Sequence, residues 1–328
     1  MYKRALKLAL VIVSLAAAIT AQTAKAPVEI KAKRHAPVRF TVYGDTRFTD
    51  PTNTKDANPE VRQTLVRAIG EARPDFIIFD GDIALNGDHP EDWKVFDQET
   101  TIWRERRIPV YPALGNHDLH GDLNVALQNY FARFPDLEQS RFYSVRTAYS
   151  LILELDSALD ETTGRQGDWL RQQIDHIPRQ VNFLFIVLHH PPYTSSSDDK
   201  TFGGGHSARP SEQKLAAFLE EQQKKLRARI VVFGGHVHNY ERHEHGGVTY
   251  FVTGGGGAHA YPITRAVDDP FQSKEINYHY ILVEVNKHRL IVTMNRLEME
   301  DGLAKWSKPD SLNISSPARL STPSNGGR

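Results

Sequence analysis

One kind of junction constrains this chain most: an apolar, strand-forming run that gives way at once to short polar residues able to ligate a cation or move a proton. The clearest case is Val231-Val232-Phe233-Gly234-Gly235-His236-Val237-His238-Asn239-Tyr240-Glu241-Arg242. The β-branched run reads as a short buried strand, and the glycine pair releases it into a loop. Two histidines one residue apart on looped backbone can turn their imidazoles towards neighbouring points, whereas helical pairs sit at i, i+4. Neutral imidazole is a good ligand for zinc, iron and manganese-type ions. Taken alone, the motif more often describes a polar loop with two surface histidines.

The same junction recurs. The alternating run Val38, Phe40, Val42 ends in Gly44-Asp45-Thr46-Arg47. The apolar stretch 75–79 opens into Asp80-Gly81-Asp82, and 108–114 ends in Gly115-Asn116-His117-Asp118. The stretch 182–188 runs into His189-His190-Pro191-Pro192-Tyr193. In α/β sheets the carboxyl ends of the strands form one edge, where ligand sites assemble. Each motif by itself is a plausible turn, but turns alone do not require ligand-type residues at strand end after strand end.

Helical spacing fills the intervals, over 60–72, 91–105, 166–174 and 212–227, the last capped by Ser211. The segment with Tyr130, Phe131 and Phe134 reads as looser, and 194–207 as a mobile polar loop over a site. Strands are expected at 149–155, 248–253, 278–285 and 290–295, with a bend at four consecutive glycines, 254–257. Helices alternating with strands, then strands in succession, fit a single α/β sandwich with mixed sheets.

Lys3, Arg4 and Lys7 precede an apolar region, 8–21, that is short for a membrane span, and Ala24-Lys25-Ala26 offers a cleavage site. The expected organisation is a signal peptide over 1–26, a domain over 37–306 and a disordered Ser/Pro/Asn/Gly-rich tail over 307–328. The protein is expected to be exported, periplasmic or secreted, with no stable membrane anchor after cleavage; an uncleaved anchor helix is the rival reading. The net charge of +0 gives no signature for nucleic acid. Cysteine is absent, so any metal must be held by His, Asp, Glu or Asn.

These motifs, spread over residues 38 to 253, resemble those of the calcineurin-like metallophosphoesterases, in the neighbourhood of the purple acid phosphatases. The resemblance implies a four-layer α/β/β/α sandwich around two divalent or mixed-valence metal ions (Fe, Mn or Zn). Asp82 would bridge the ions, Asp45 and His238 would hold the first, and Asn116, His189 and His236 the second. A carboxylate can share its oxygens between cations ~3.5–4 Å apart. Of the adjacent histidines, the family pattern makes His189 rather than His190 the ligand. His117 would lie near the leaving-group oxygen and protonate it, with Asp118 orienting its ring and raising its pKa.

The chain departs from the family pattern where dinuclear relatives carry a further first-metal ligand, a His or a Tyr; Arg47 and Leu85 stand there and cannot coordinate. Loss of that Tyr argues against a purple enzyme. Arg47 could instead fork onto a phosphate oxygen, or pair structurally with Asp80 or Asp88. His206 and Tyr193 are further substrate-binding candidates and His259 a pocket wall. Tyr240 and Arg242 are expected to support the His-x-His loop, and His243 and His245 to be solvated. The leading expectation is an exported phosphoesterase that hydrolyses a small-molecule phosphate ester with a metal-activated hydroxide. A catalytically weak phosphatase-like binding protein and a single-metal hydrolase are the alternatives.

Overall fold

Two seven-stranded mixed sheets carry the chain. The computed structural model describes residues 28–29, 37–196 and 206–316; the expected signal segment and residues 197–205 of the expected loop lie outside them. In one sheet, β2 (Val38–Tyr43), β3 (Phe76–Phe79) and β4 (Val110–Pro112) run parallel. Beyond β2 lie the antiparallel β11 (Tyr278–Val285) and β12 (Arg289–Glu300), the latter flanked by β13 (Leu303–Ser307) and β14 (Ser311–Ser315). The other sheet has the order β1 (Val28–Glu29), β5 (Tyr143–Arg146), β6 (Ser150–Glu154), β7 (Phe183–Leu188), β8 (Arg229–Gly234), β10 (Val248–Thr253) and β9 (Tyr240–His245).

Strand alternation sets the layers, because successive side chains point to opposite faces. On β7, Phe183, Phe185 and Val187 enter the cluster between the sheets, while Leu184, Ile186 and Leu188 enter a second cluster under the helices. Phe185 meets Phe40 of β2 edge-on across the interface, ring centres 5.4 Å apart. The second cluster is closed by Trp169, Leu170 and Ile174 of α5 (Gly164–Asp175) and by Leu215 and Leu219 of α6 (Pro210–Gln223). On the other side α1 (Pro59–Ala72) buries Val61, Leu65 and Ile69. Its Val66 carbonyl accepts a hydrogen bond from the Trp103 indole of α3 (Thr101–Glu105).

Several local expectations are corrected. The helix expected over 91–105 divides into α2 (Pro90–Glu99) and α3, because Thr100 turns its hydroxyl back onto the Phe96 carbonyl at 2.6 Å. The looser region contains α4 (Leu123–Arg133), capped by Asp122, whose carboxylate accepts from the amides of Asn124 and Val125. Ser211 is not the cap of α6; its hydroxyl bonds the Glu212 carboxylate. The tail expected from 307 begins instead as ordered chain: β14 pairs with β12 and alternates half-buried Leu312 and Ile314 with exposed residues. Residues 317–328 lie outside the described part. Among the described residues no helix is long and apolar enough to cross a membrane.

Candidate metal centre

The parallel strands deliver the polar residues to one edge. Asp45 follows β2, Asp82 follows β3, Asn116 follows β4, His189 follows β7 directly, and His236 and His238 follow β8. The backbone there is strained: Asp45, Asp82 and His236 have φ of 54°, 53° and 67°, in the left-handed region that non-glycine residues rarely adopt. Such conformations cost of order 1–3 kcal/mol each and persist where the surroundings over-determine them. Gly81, at φ 99°, passes so close that a Cβ would lie 2.6 Å from His189 Nδ1.

Hydrogen bonds fix which nitrogen each imidazole presents. His189 Nδ1 donates to the Asp80 carbonyl at 3.0 Å, which leaves Nε2 as a lone pair. That lone pair lies 3.1 Å from Asn116 Oδ1, 3.3 Å from Asp82 Oδ1 and 3.3 Å from His236 Nδ1. His236 Nδ1 is in turn 3.1 Å from Asn116 Oδ1. His238 Nδ1 donates to the His259 carbonyl at 2.7 Å, aiming Nε2 at Asp45 Oδ1, 3.4 Å away. Asp45 Oδ1, Asp82 Oδ2 and His238 Nε2 are buried with no hydrogen-bond partner among the described residues.

Buried acceptors facing one another without protons between them are costly, and cations between them would remove the cost. The donor set of carboxylate, amide oxygen and imidazole suits zinc, iron or manganese. The residues present therefore fit a metal centre.

Electrostatics agree. Burial pushes Asp45 up, with Asp82 adding to the shift. Burial also opposes the charge on Asp82, but positive charge beside it, from His189 and His117 when protonated and from Arg47 always, outweighs burial and holds that carboxyl well below its usual range. Burial first, then Arg47, pulls His238 down to about 3, so its ring is neutral as ligation requires.

Around this core the expected residues separate. Arg47 lies 3.8 Å from Asp82 Oδ2, so its carboxylate neighbour is neither Asp80 nor Asp88. His117 Nε2 is 4.0 Å from Asp82 Oδ2, and its ring is held by a 2.7 Å bond from Nδ1 to the Leu85 carbonyl. Asp118 does not orient it: its carboxylate accepts from the amides of Ile83, Ala84 and Gly115 at 2.9, 3.1 and 2.9 Å and so ties two strand-end loops together. Nor is the His117 pKa raised. Burial pulls it down to about 4 against the opposing charge of Asp82.

His206 comes alongside, its ring centre 4.9 Å from His236 and 6.0 Å from His238. Tyr193 turns away, donating to Glu220 at 2.7 Å and stacking on His245. The His259 ring turns to the Thr54 carbonyl, and only its backbone serves the centre. Tyr240 and Arg242 both bond Asp310, a residue of the expected tail. His243 is not solvated; it is buried between Glu241 and Asp269, at 3.1 and 3.0 Å.

Sequence reasoning missed Asp80 and Tyr261. Asp80 presents its carbonyl to His189, and the Tyr261 ring packs 5.2 Å from His206 and 5.6 Å from His238. The position of Asp80 directly before Gly81-Asp82 was the available signal for the first; nothing local marked the second.

Residues 38–240 match the family model described as calcineurin-like phosphoesterase. The chain belongs to the calcineurin-like phosphoesterase family. Its two mixed sheets agree with the fold of solved relatives. A purple acid phosphatase from yellow lupin (Lupinus luteus) seeds superposes with a TM-score of 0.62 at 17% identity, over 87% of this chain and 55% of that one. This phosphoesterase chain therefore spans little more than half the length of the lupin enzyme. GAP50 of Plasmodium, described as the anchor in the inner membrane complex, gives 0.60 at 14% identity, over 86% and 89%. A dimetal phosphatase from Danio rerio gives 0.52 at 12%, over 85% and 99%. Comparison with curated protein sequences returned no match.

Proposed function

We propose that this phosphoesterase hydrolyses a small-molecule phosphate ester at a dinuclear metal centre on the strand edge, and that it does so outside the cytoplasm. The carrying observation is the convergence of ligand-type atoms: Asn116 Oδ1, His189 Nε2 and His236 Nδ1 lie 3.1–3.3 Å from one another, and the buried Asp45 Oδ1, Asp82 Oδ2 and His238 Nε2 have no hydrogen-bond partner among the described residues. Asp82 stands next to a member of each group, since one ligand atom from each of Asp45, Asp82 and His189 lies within 4.8 Å of the others. Asp45 and His238 would hold one ion, Asn116, His189 and His236 the other, and Asp82 both. Bound there, the ions would supply a water-derived nucleophile near neutral pH and offset charge on the phosphoryl oxygens.

The chain's own groups then have distinct tasks. The Arg47 guanidinium, beside the carboxylate that both ions share, reaches an equatorial phosphoryl oxygen and stabilises the charge that grows on it. His117, hydrogen-bonded to Leu85 through Nδ1, aims Nε2 at the same space and serves the leaving oxygen from there when protonated. His206 walls the approach next to His236 and His238. The location outside the cytoplasm is supported by the leader, Lys3, Arg4 and Lys7 before the apolar region and Ala24-Lys25-Ala26 after it.

Turnover of a generic aryl phosphate by the wild-type protein and by Asp82→Asn, each loaded with Mn, Zn or Fe, tests the reading. The variant should lose nearly all activity, and wild-type-like rates in it would contradict the mechanism. Recovery of intact, uncleaved chain from the cytoplasm would contradict export.

A further inference from the structure

We propose that His190 is a catalytic residue that binds a phosphoryl oxygen through its Nε2–H, and that Ser157 is the positioning residue that fixes the proton there. The proposal rests on the phosphoesterase reading above and names a contact of that same site. Ser157 sits buried just past β6, the strand beside β7. Its Oγ accepts a hydrogen bond from the His190 backbone amide at 3.2 Å and lies 2.8 Å from His190 Nδ1. A hydroxyl carries one proton and two lone pairs. The amide is a donor, so among the described residues Nδ1 is the only partner left for the Ser157 proton, and a buried donor left unused is costly. Nδ1 therefore accepts, and a neutral imidazole whose Nδ1 accepts carries its proton on Nε2.

This tautomer is the reverse of that of three other rings at the centre. His117, His189 and His238 each give Nδ1–H to a backbone carbonyl and present a bare Nε2. His190 also reaches the centre: its ring centre is 4.3 Å from His236, and one ring nitrogen from each of His189, His190 and His236 lies within 4.8 Å of the others. A protonated nitrogen cannot ligate a cation, but it donates well to an anion. His189 is then the ligand, as the family resemblance implied, and His190 the donor, a role the sequence did not give it. Ser157 is held in turn, because Arg209 donates to its carbonyl at 2.5 Å while bonding Glu212 through Nε.

Three variants of the full-length protein test this: His190→Leu, His190→Gln, whose amide imitates Nε2–H, and Ser157→Ala. Each is loaded with metal, its ions per chain are counted, and its affinity for inorganic phosphate is measured. The metal content should match wild type in all three. Phosphate affinity should fall about tenfold in His190→Leu and Ser157→Ala, the loss of one hydrogen bond to a charged group, and stay near wild type in His190→Gln. Nitrogen NMR on the metal-free protein should show His190 as the Nε2–H tautomer, with Ser157→Ala changing it, which a merely structural serine would not do.

Loss of an ion in His190→Leu would make His190 a ligand and overturn the proposal. Unchanged phosphate affinity in His190→Leu, or an Nδ1–H tautomer in the wild type, would also overturn it. If His190→Leu does not fold, the other two variants and the tautomer still decide. Failure of the loaded wild type to bind phosphate at all would instead sink the phosphoesterase reading itself.

Discussion

His117 donates from Nδ1 to the backbone carbonyl of Leu85 at 2.7 Å. The residue whose side chain cannot coordinate a metal thus contributes its carbonyl, and that bond points His117 Nε2 at Asp82. It also settles the form of the neutral ring, so His117 must gain a second proton before it can give one up. Burial makes that proton hard to hold, as the fall to about 4 records.

His117→Ala should therefore lower kcat by roughly 10²–10⁴ for an alkyl phosphate, whose leaving oxygen needs a proton. For an aryl phosphate with an acidic leaving group the loss should be much smaller. Measuring both substrates side by side checks this; equal losses would place His117 in binding or metal support instead.

Metal affinity should rise with pH. Burial, with Asp82 adding to it, lifts Asp45 to about 7 in the metal-free protein, and its proton must leave before Asp45 can ligate. The apparent dissociation constant should fall as pH climbs towards that value and level off above it. Titration of metal-free protein over roughly pH 5 to 8 reads this directly. A flat profile would mean that Asp45 is already ionised.

Away from the centre, Glu161 is buried beside Glu212. Burial first, then the Glu212 charge, raises it to about 8 from an unfolded value of 4.5. A group raised on folding contributes stability that is complete below its unfolded pKa and is lost as pH rises through its folded pKa. Tm of the metal-free protein should carry a decline between about 4.5 and about 8 from this group, and Glu161→Gln should flatten it. An identical pH profile in the variant would show that Glu161 does not titrate there.

His243 bridges two buried carboxylates, Glu241 and Asp269, which also receive Ser195 from the chain after His189-His190. His243→Leu takes one hydrogen-bond partner from each acid, and a hydrogen bond to a charged group contributes about 1.5–3 kcal/mol. Urea unfolding should show a loss of that size in the metal-free protein. A loss under about 1 kcal/mol, the scale of an exposed pair, would mean that water already reaches this cluster.

The strand edges were legible in the sequence because their signals are local. Alternating apolar residues mark β2, and short polar residues mark each strand's end. Those signals also led to the six residues that the fold brings together, Asp45, Asp82, Asn116, His189, His236 and His238. What was missed depends on partners distant in the chain. Asp118 reads as a partner for the adjacent His117 but is taken by amides of Ile83 and Ala84 from the neighbouring strand end. His243 reads as solvated because Asp269, brought in by a later loop, is invisible to a local scan. Asp310 reads as disordered tail because its polar surroundings hide the two partners, Tyr240 and Arg242, that fix it.

The most direct measurement is a count of tightly held metal ions on the purified chain after loading with Mn, Zn or Fe, repeated on Asp82→Asn. The account predicts two ions per wild-type chain and fewer in the variant, whose side chain can no longer offer two anionic oxygens to a pair of cations. One ion or none in the wild type, or an unchanged pair in the variant, would contradict it.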